Sequence, residues 1–364
     1  MDLGNTTSKP IPLTDLPINI LHDSQLEKFS RNSIHVERII DFDPEAAVKA
    51  LGVKEGKRVI AADYGGDKGI TRVFEVKNGR LVQAQDFRDD VHGNDGEGYL
   101  ASLKKAAQFA DDNSLPFGIS WGGPLDGSKL LFHPKAKIFY NQLKEEFDGD
   151  LSKLSPNVKI SLNDGPAGLV SAAVEAYRQF KADSVIFIIN GGGIGLGILK
   201  DGSIYATEAG HVEGINELNL YNQQTPCGVF NSTYVCLERL GANKTGIESH
   251  WETKTGHYLR AKDIEDRYIA GDSFAAALYD NSADVVSHVI AGSARAIGID
   301  LSNATTAVVC HGGAFKFPHY GKRINQILDN HLGNKINLIL TKDFTNKDSN
   351  ACLDGAAIAA LTMD

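Results

Sequence analysis

The chain has 364 residues, which is long enough for two lobes that each bury a core of their own. Hydrophobic residues make up 42% and charged residues 23%, as in an ordinary globular protein. The formal net charge of -9 argues against nucleic-acid binding, since a phosphate backbone requires a basic surface. Four cysteines are too few for a disulfide framework, and no apolar stretch or leader pattern indicates a membrane segment. These features predict a cytoplasmic protein.

Residues 1–56 are predicted to be a polar extension, to which the sequence assigns no role. Its clearest element is a helix over 43–51, with Asp43 as the N-cap, Pro44 as the first helical residue and Gly52 as the end. The extension is too short and too acidic for a DNA-reading winged helix.

A regular alternation of strands and helices begins at Arg58. Three strand-like runs come first, and Asn78-Gly79, between the second and the third, is the strongest short hairpin signal. Helical spacing of Leu and Ala, apolar strands and a helix rich in small residues follow. The predicted strands are 59–62, 70–76, 81–86, 117–121 and 158–162, and the predicted helices are 98–113, one near residue 142, and 167–180.

The second half repeats this plan. Strands 185–189 and 194–199 form a glycine hairpin, and Asp201-Gly202 turns the chain into a third strand. Strand 306–310, helix 320–331, strand 335–340 and helix 351–363 follow. The repetition predicts duplicated α/β lobes, with ligands in the cleft between them at the carboxyl ends of strands. The predicted division is a smaller lobe of 57–174 plus 351–364, and a larger lobe of 175–350.

Polar or glycine-rich motifs follow several of these strands. After the first strand, Asp63 could hold a hydrated Mg²⁺ while the N–H groups of Gly65 and Gly66 receive phosphate oxygens. The alternative is a hairpin with a capping Asp. Asn163-Asp164 could supply a hydrogen-bonding amide and a general base. The alternative there is an Asx cap for the following helix.

The glycine hairpin at 190–193 is a candidate phosphate cradle, because glycines let backbone N–H groups approach the ligand. The alternative is a glycine hairpin followed by a surface loop. The hairpin lacks the third glycine of G-x-G-x-x-G, and both Gly-Lys pairs of the chain precede Arg instead of Ser or Thr. A Rossmann oxidoreductase and a Walker-type ATPase are therefore disfavoured.

Two further motifs carry polar chemistry. Glu208 and His211 could hydrogen-bond sugar hydroxyls, and the turn at Gly312-Gly313 could let an adenine or ribose lie against backbone. Cys227 and Cys236, with His211, raise the question of zinc. Eight residues separate the two cysteines, whereas structural zinc favours four closely spaced ligands, so zinc is not expected.

With these motifs in this order, the chain resembles the ROK family of bacterial sugar kinases (repressor, open reading frame, kinase), within the hexokinase, actin and Hsp70 superfamily. The resemblance covers about residue 57 to the end. The matching stretches are Asp63-Tyr64-Gly65-Gly66, Gly118 to Asp126 (GISWGGPLD), Asn163-Asp164, Asn190 to Gly197, Glu208-Ala209-Gly210-His211, Cys236-Leu237-Glu238 and Gly312-Gly313.

The resemblance implies a two-lobed, actin-like (ribonuclease H-like) ATPase fold and an ATP- and Mg²⁺-dependent hexose kinase, glucokinase-like. Asp164 would be the general base, and Asp63 would position Mg²⁺ through water. The sugar would be held by Asn163, Glu208, His211 and Glu238. The phosphates and the nucleotide would be held by Asp63, Gly65, Gly66, Asp67, Lys68, Gly191, Gly192, Gly193, Gly312 and Gly313. A homodimer is what the family suggests for assembly.

Departures from the family pattern leave a second hypothesis open. Asp67 stands where the family usually has Thr, and a carboxylate there would repel phosphate unless it meets Mg²⁺ or Lys68. The cysteine segment keeps only Cys227 and Cys236. A catalytically degenerate, sugar-binding sensor is therefore the alternative, and a DNA-binding repressor is a poor third because no basic helix-turn-helix is visible.

Overall fold

The computed structural model describes residues 12–66, 68–131, 136–229, 232–317, 319–346 and 348–363. The strands are β1 (Glu37–Asp41), β2 (Arg58–Tyr64), β3 (Lys68–Lys77), β4 (Arg80–His92), β5 (Phe117–Trp121), β6 (Leu125–Asp126), β7 (Lys129–Leu130), β8 (Val158–Asn163), β9 (Ser184–Asn190), β10 (Ile194–Lys200), β11 (Ser203–Thr207), β12 (Thr306–His311) and β13 (Asn337–Leu340). The helices are α1 (Asp23–Leu26), α2 (Pro44–Val53), α3 (Tyr99–Asp112), α4 (Lys137–Phe147), α5 (Asp164–Phe180), α6 (Leu237–Gly241), α7 (Ser249–Thr255), α8 (Ala261–Ile269), α9 (Ser273–Ile297), α10 (Tyr320–Leu332) and α11 (Ala351–Thr362).

The chain divides into two compact units. The first unit comprises Met1–Glu37, Ile186–Leu196 and Ala206–Leu340. The second unit comprises Arg38–Val185, Gly197–Tyr205 and Thr341–Asp364. The described part of the N-terminal extension is thus shared: residues 12–37 belong to the first unit and residues 38–56 to the second.

The second unit contains a five-stranded sheet in the order β4-β3-β2-β5-β8. β2 is antiparallel to β3, as its hairpin predicts, and parallel to β5, which in turn is parallel to β8. Asn78 and Gly79 both have positive φ, 52° and 66°, as the predicted two-residue hairpin turn requires. The register places Tyr64 opposite Trp121 and Trp121 opposite Asn163. The carboxyl ends of the three parallel strands therefore meet at one edge of the sheet.

Two groups of helices cover this sheet. Ile60, Phe117 and Ile119 belong to a buried cluster that also takes in the apolar residues of α3 and α4. α11 packs on α5 and on strands β2 and β5. The residues of α11 from Ala351 to Leu361 are all buried, which explains why its sequence is apolar on every side.

A six-stranded sheet has the order β1-β11-β10-β9-β12-β13, and β12 is parallel to β13. The predicted second run of three strands followed by two more is present in it. The edge strand β1 comes from the extension, and the sequence analysis did not predict it. Together with the first sheet, this architecture confirms the α/β fold class. Among the described residues, no helix is both long enough and apolar enough to cross a membrane.

The extension contains the helix predicted for it, with one correction at its end. Asp43 caps α2 by accepting hydrogen bonds from the N–H groups of Glu45 and Ala46, and Pro44 is the first helical residue. The helix runs through Gly52 to Val53, so the prediction that Gly52 ends it was wrong.

Upstream of α2, the extension is anchored in the first unit by buried polar contacts. Arg323, fully buried, pairs with Asp280 at 2.7 Å and donates to the carbonyl oxygens of Leu16 and Pro17. The backbone N–H of His22 donates to Nε2 of His288 at 2.8 Å, and Nδ1 of His288 lies 2.9 Å from the carbonyl oxygen of Asp284. Because His288 accepts through Nε2, it must be neutral for this anchor to form.

The anchor predicts a dependence of stability on pH. Burial lowers the pKa of His288 from 6.5 to about 4. The native state therefore takes up this proton later than the unfolded chain, and the stability that neutral His288 contributes is present above about pH 6.5 and lost as the pH falls towards 4. His288→Gln keeps an acceptor for the His22 N–H but does not titrate. We expect its unfolding free energy, from urea titrations, to fall less steeply than that of the wild type below pH 6.5.

The difference in slope approaches about 1.4 kcal/mol per pH unit, the value for one proton. The control is His257→Gln, which removes an exposed histidine and should keep the wild-type slope. Equal slopes for His288→Gln and the wild type would contradict the anchor.

Candidate functional site

Asp63 lies near the carboxyl end of β2, and both of its carboxylate oxygens accept hydrogen bonds from within the second unit. The Ser120 hydroxyl donates to Oδ1 at 2.6 Å, and the Asn350 amide donates to Oδ2 at 2.9 Å. Ser120 is the residue opposite Asp63 on β5, and Asn350 is the N-cap of α11. Burial raises the pKa of Asp63, and these two hydrogen bonds and the charge of Lys68 oppose the rise. Asp63 is thus held in place by neutral donors.

Asn163 and Asp164 stand where β8 ends and α5 begins. The Asn163 side chain caps the helix, since its Oδ1 accepts from the Gly165 N–H at 3.2 Å. Its amide nitrogen donates to the carbonyl oxygen of Gly123 at 2.8 Å. The capping alternative is therefore correct for Asn163, and its predicted contact with a sugar stays a prediction. Asp164 is the first residue of the helix, and its Oδ1 accepts from the Gly165 N–H at 2.8 Å.

The carboxylates of Asp63 and Asp164 interact electrostatically. Burial and, second to it, the negative charge of Asp63 raise the pKa of Asp164 from 3.8 to about 6, although backbone N–H groups of Gly165 and of Asp164 itself oppose the rise. A base with a pKa near 6 is ionised at neutral pH and still basic enough to take a proton. The environment of Asp164 therefore suits a general base.

The first glycine turn lies beside this pair. The N–H of Gly65 donates to the carbonyl oxygen of Lys68 at 2.9 Å, and the Tyr99 hydroxyl donates to the carbonyl oxygen of Gly65 at 3.0 Å. A Cβ placed on Gly122 would lie 3.1 Å from the Cα of Gly65 and 3.7 Å from Oδ2 of Asp164. The turn, Gly122 and Asp164 are therefore neighbours. Gly66 belongs to the same turn, and Asp67, predicted among the phosphate contacts, lies outside the described residues.

In the first unit, the buried side-chain amide of Asn190 supports the second glycine turn, residues 190–193. Asn190, fully buried at the end of β9, donates through its side chain to the Tyr320 hydroxyl at 2.9 Å and accepts from the Asn243 N–H at 3.2 Å. Gly312 has a φ of +110°, and a Cβ there would overlap the carbonyl oxygen of Asn190. Only glycine fits at that contact, so the turn at Gly312 lies directly against the start of the 190–193 turn.

Asn243 is a residue of this region that the sequence analysis missed. It begins a π-helical turn (Asn243–Glu248), and its N–H also lies 3.1 Å from the carbonyl oxygen of Gly191. Its amide nitrogen would be 3.0 Å from a Cβ on Gly313. Asn243 thus connects the two glycine turns, and the only sequence signal for it is the polar run that follows α6. Together Gly191, Gly193, Gly312 and Gly313 form one glycine-rich surface.

Glu208, His211 and Glu238 are brought together in the first unit. Nε2 of His211 lies 3.6 Å from the Glu208 carboxylate. Burial lowers the pKa of His211, and the negative charge of Glu238 opposes this lowering. Oε2 of Glu238 accepts from the Ile194 N–H at 2.9 Å, next to the glycine turn. A Cβ on Gly210 would lie 2.5 Å from the carbonyl oxygen of Ile194, so this position admits only glycine. The cluster offers several acceptors and one imidazole for hydroxyl groups.

Cys227 and Cys236 lie on the other side of His211. Nδ1 of His211 is 3.3 Å from the Cys227 sulfur and 3.8 Å from the Cys236 sulfur, and the three ligand atoms lie within 4.8 Å of one another. Sequence separation was therefore a poor guide to the distance between these cysteines. The donors suit zinc, but within the described residues the group has three members, one fewer than a closed structural site. The expectation of no zinc stays a prediction.

The sequence matches the ROK family over residues 59–362. A ROK hexokinase from Thermus thermophilus is 20% identical with a TM-score of 0.60, and the match covers 83% of this chain and 97% of that chain. A ROK family glucokinase from Streptomyces griseus, in complex with glucose and AMPPNP, is 18% identical with a TM-score of 0.57, over 82% and 98% of the two chains. A ROK family transcriptional regulator, a homologue of the E. coli MLC protein, is 16% identical with a TM-score of 0.58, over 85% and 79%.

A comparison with curated protein sequences gives no match. At these low identities, the structural similarity establishes the fold, which kinases and a regulator share.

The interaction of Asp63 with Asp164 predicts a measurable pKa shift. Asp63→Asn removes a negative charge that disfavours ionised Asp164, so we expect the pKa of Asp164 to fall below about 6. Carboxyl-carbon NMR titration of Asp164 measures it directly. Asp183→Asn, which removes an exposed carboxylate of the same unit, should leave that pKa unchanged. An Asp164 pKa that stays the same or rises in Asp63→Asn would contradict the proposed coupling.

Proposed function

Since the chain belongs to the ROK family over residues 59–362, we propose that it is an ATP-dependent hexose kinase, glucokinase-like. The observation that carries the proposal is Asp164, a carboxylate at the start of α5 whose pKa is raised to about 6 by burial and by Asp63. Sugar phosphorylation needs a base of this kind, because the attacking hydroxyl must lose its proton as the bond to phosphorus forms.

In the proposed reaction, the primary hydroxyl of the hexose attacks the γ-phosphorus of ATP. A new O–P bond forms while the bond to the bridging oxygen of ADP breaks, and Asp164 takes the hydroxyl proton. No covalent intermediate with the protein is required, so catalysis rests on positioning and on neutralisation of charge. Glu208, His211 and Glu238 would hydrogen-bond the ring hydroxyls, and we keep Asn163 as a weaker candidate because its side chain already bonds Gly165 and Gly123.

The glycine turns have the backbone groups that a nucleotide would need. In the second unit, Gly66 and Lys68 would receive phosphate oxygens, and in the first unit Gly192 and Gly193 would do so. Gly65 and Gly191 are weaker candidates, because their N–H groups already donate to the carbonyl oxygens of Lys68 and Gly193. Gly312 and Gly313 would receive the adenosine.

Asp63 fits a hydrated Mg²⁺, because carboxylate oxygens are hard ligands and the two groups that hydrogen-bond them here, those of Ser120 and Asn350, are neutral. Magnesium, when bound, neutralises charge on the phosphates. Asp63 would also act without it, because its negative charge adds to the effect of burial in raising the pKa of Asp164.

A sugar-binding sensor is the second candidate. The similarity to a ROK family transcriptional regulator supports it, and so does the Glu238 carboxylate on the Ile194 N–H, since a negative charge beside the glycine turn disfavours phosphate. Such a protein would bind a hexose without turning over ATP.

Asp164→Asn tests the kinase. The amide has the same shape but cannot take a proton, so we expect kcat to fall by about 10²–10⁴-fold while the KM for the sugar changes little. Steady-state ADP release measures both, and circular dichroism checks the fold. The matched control, Asp183→Asn, alters an exposed carboxylate of the same unit and should keep the wild-type kcat. A kcat for Asp164→Asn close to that of the wild type would remove Asp164 from this role.

A further inference from the structure

The N-terminal extension contributes a buried side chain to the first unit. Gln25, in the short helix α1, is fully buried although its amide is polar. Both ends of that amide bond the same backbone segment: Nε2 donates to the carbonyl oxygen of Glu213 at 3.0 Å, and Oε1 accepts from the Ile215 N–H at 2.8 Å. A buried amide that satisfies two backbone groups at once fixes their relative position.

The bonded segment is the one that leaves the Glu208–His211 motif. His211 belongs to a single short 3₁₀ turn (Ala209–His211), and the chain then runs through Val212 to Ile215 without a helix or strand of its own. Its backbone groups therefore bond partners elsewhere in the chain: Glu213 forms a β-bridge with Cys236, and the Gly214 N–H donates to the carbonyl oxygen of Val235. Gln25 supplies two of these partners.

A second contact from the extension lies at the other end of this segment. The carbonyl oxygen of Ile34, itself fully buried, accepts from the N–H of Glu208 at 2.8 Å. Contacts from one piece of chain therefore bracket His211, with Ile34 at residue 208 and Gln25 at residues 213 and 215. Lys28 adds an exposed ion pair with the Glu213 carboxylate at 2.6 Å, which contributes little by itself.

The extension can hold residues 208–215 because other contacts fix the extension itself to the first unit. Leu13, Leu21 and Phe29 are buried, and a Cβ on Gly292 of α9 would overlap the ring of Phe29. The Arg323 and His288 anchors described above hold its first half. The extension is thus a rigid support for the segment it contacts.

We propose that the extension is a positioning element for the sugar-binding motif, and that Gln25 is its principal positioning residue. This inference takes its substrate, a hexose, from the proposed function. The contacts by which Gln25 holds residues 213 and 215 do not depend on that proposal. Through Glu213 and Ile215, Gln25 fixes the backbone that carries Glu208 and His211, whose side chains must be placed within a fraction of an ångström to hold ring hydroxyls. The extension would therefore affect the affinity for the sugar and leave ATP recognition unchanged.

The test compares Gln25→Met with the wild type. Methionine has a similar length and no amide, so it removes both hydrogen bonds with little change in volume. We expect the KM for the accepted hexose to rise about tenfold, with the KM for ATP unchanged and kcat within about twofold. Two controls separate positioning from stability: Leu51→Ala destabilises α2, in the part of the extension that belongs to the second unit, and Lys28→Met removes only the ion pair. Both should keep the wild-type KM for the sugar.

Hydrogen–deuterium exchange of residues 208–215 gives a readout that needs no substrate. Exchange should be faster in Gln25→Met than in the wild type, Lys28→Met or Leu51→Ala. If Gln25→Met does not fold, Gln25→Glu replaces it, because a carboxylate keeps the acceptor for Ile215 but cannot donate to Glu213, and it should change both readouts in the same direction.

Unchanged exchange in the Gln25 variant, or an unchanged KM for the sugar in an active enzyme, would overturn the inference. A wild type that shows no sugar-dependent ADP release would overturn the kinase instead, and the exchange measurement would still decide the role of Gln25.

Discussion

The second unit holds two half-buried carboxylates, those of Asp63 and Asp164, near enough that the charge of Asp63 raises the pKa of Asp164. Removing a carboxylate from water is costly, and two like charges in proximity add to the cost. The protein offsets this cost with the Ser120 hydroxyl and the Asn350 amide on Asp63 and with backbone N–H groups on Asp164. These hydrogen bonds do not fully compensate for the loss of water and the repulsion, so the pKa of Asp164 stays raised. That raised pKa supports the proposed role of Asp164 as the base near neutral pH.

The packing of the second unit follows from the same requirement. Parallel pairing of β2, β5 and β8 brings Asp63, Ser120 and the start of α5 to one edge of the sheet. α11 packs on α5 and supplies Asn350 at its N-terminus, so a helix near the end of the chain stabilises a carboxylate in the first strand of the sheet. In the first unit the corresponding support is the Asn190 side chain, which ties the glycine turn to Tyr320 and Asn243.

Much of this arrangement could be predicted from local sequence patterns. Hairpins such as Asn78-Gly79, the cap and first turn of α2, and the apolar strands all depend on residues close together in the chain. The position of Asp63 and Asp164 at strand ends followed from the strand assignments. The partners of those residues could not be predicted in this way. Asn350 is 287 residues from Asp63 in sequence, and Gln25 is 190 residues from Ile215, so neither contact leaves a pattern in a single sequence.

The contacts of Asn163, Cys227 and Cys236 also could not be predicted from the sequence. An Asn before a helix is expected both as a cap and as a ligand, and only the positions of Gly165 and Gly123 show that its side chain bonds the protein. Cys227 and Cys236 are separated by eight residues in sequence, yet the sulfurs of both lie near Nδ1 of His211.

The most direct test of the account is sugar-dependent ADP release by the wild-type protein with Mg·ATP, measured across a panel of hexoses and amino sugars. The account predicts steady turnover with at least one hexose and names the substrate class by which sugar that is. No turnover with any sugar, in a protein that a thermal-shift screen shows to bind one of them, would contradict the kinase and establish a sugar sensor in its place.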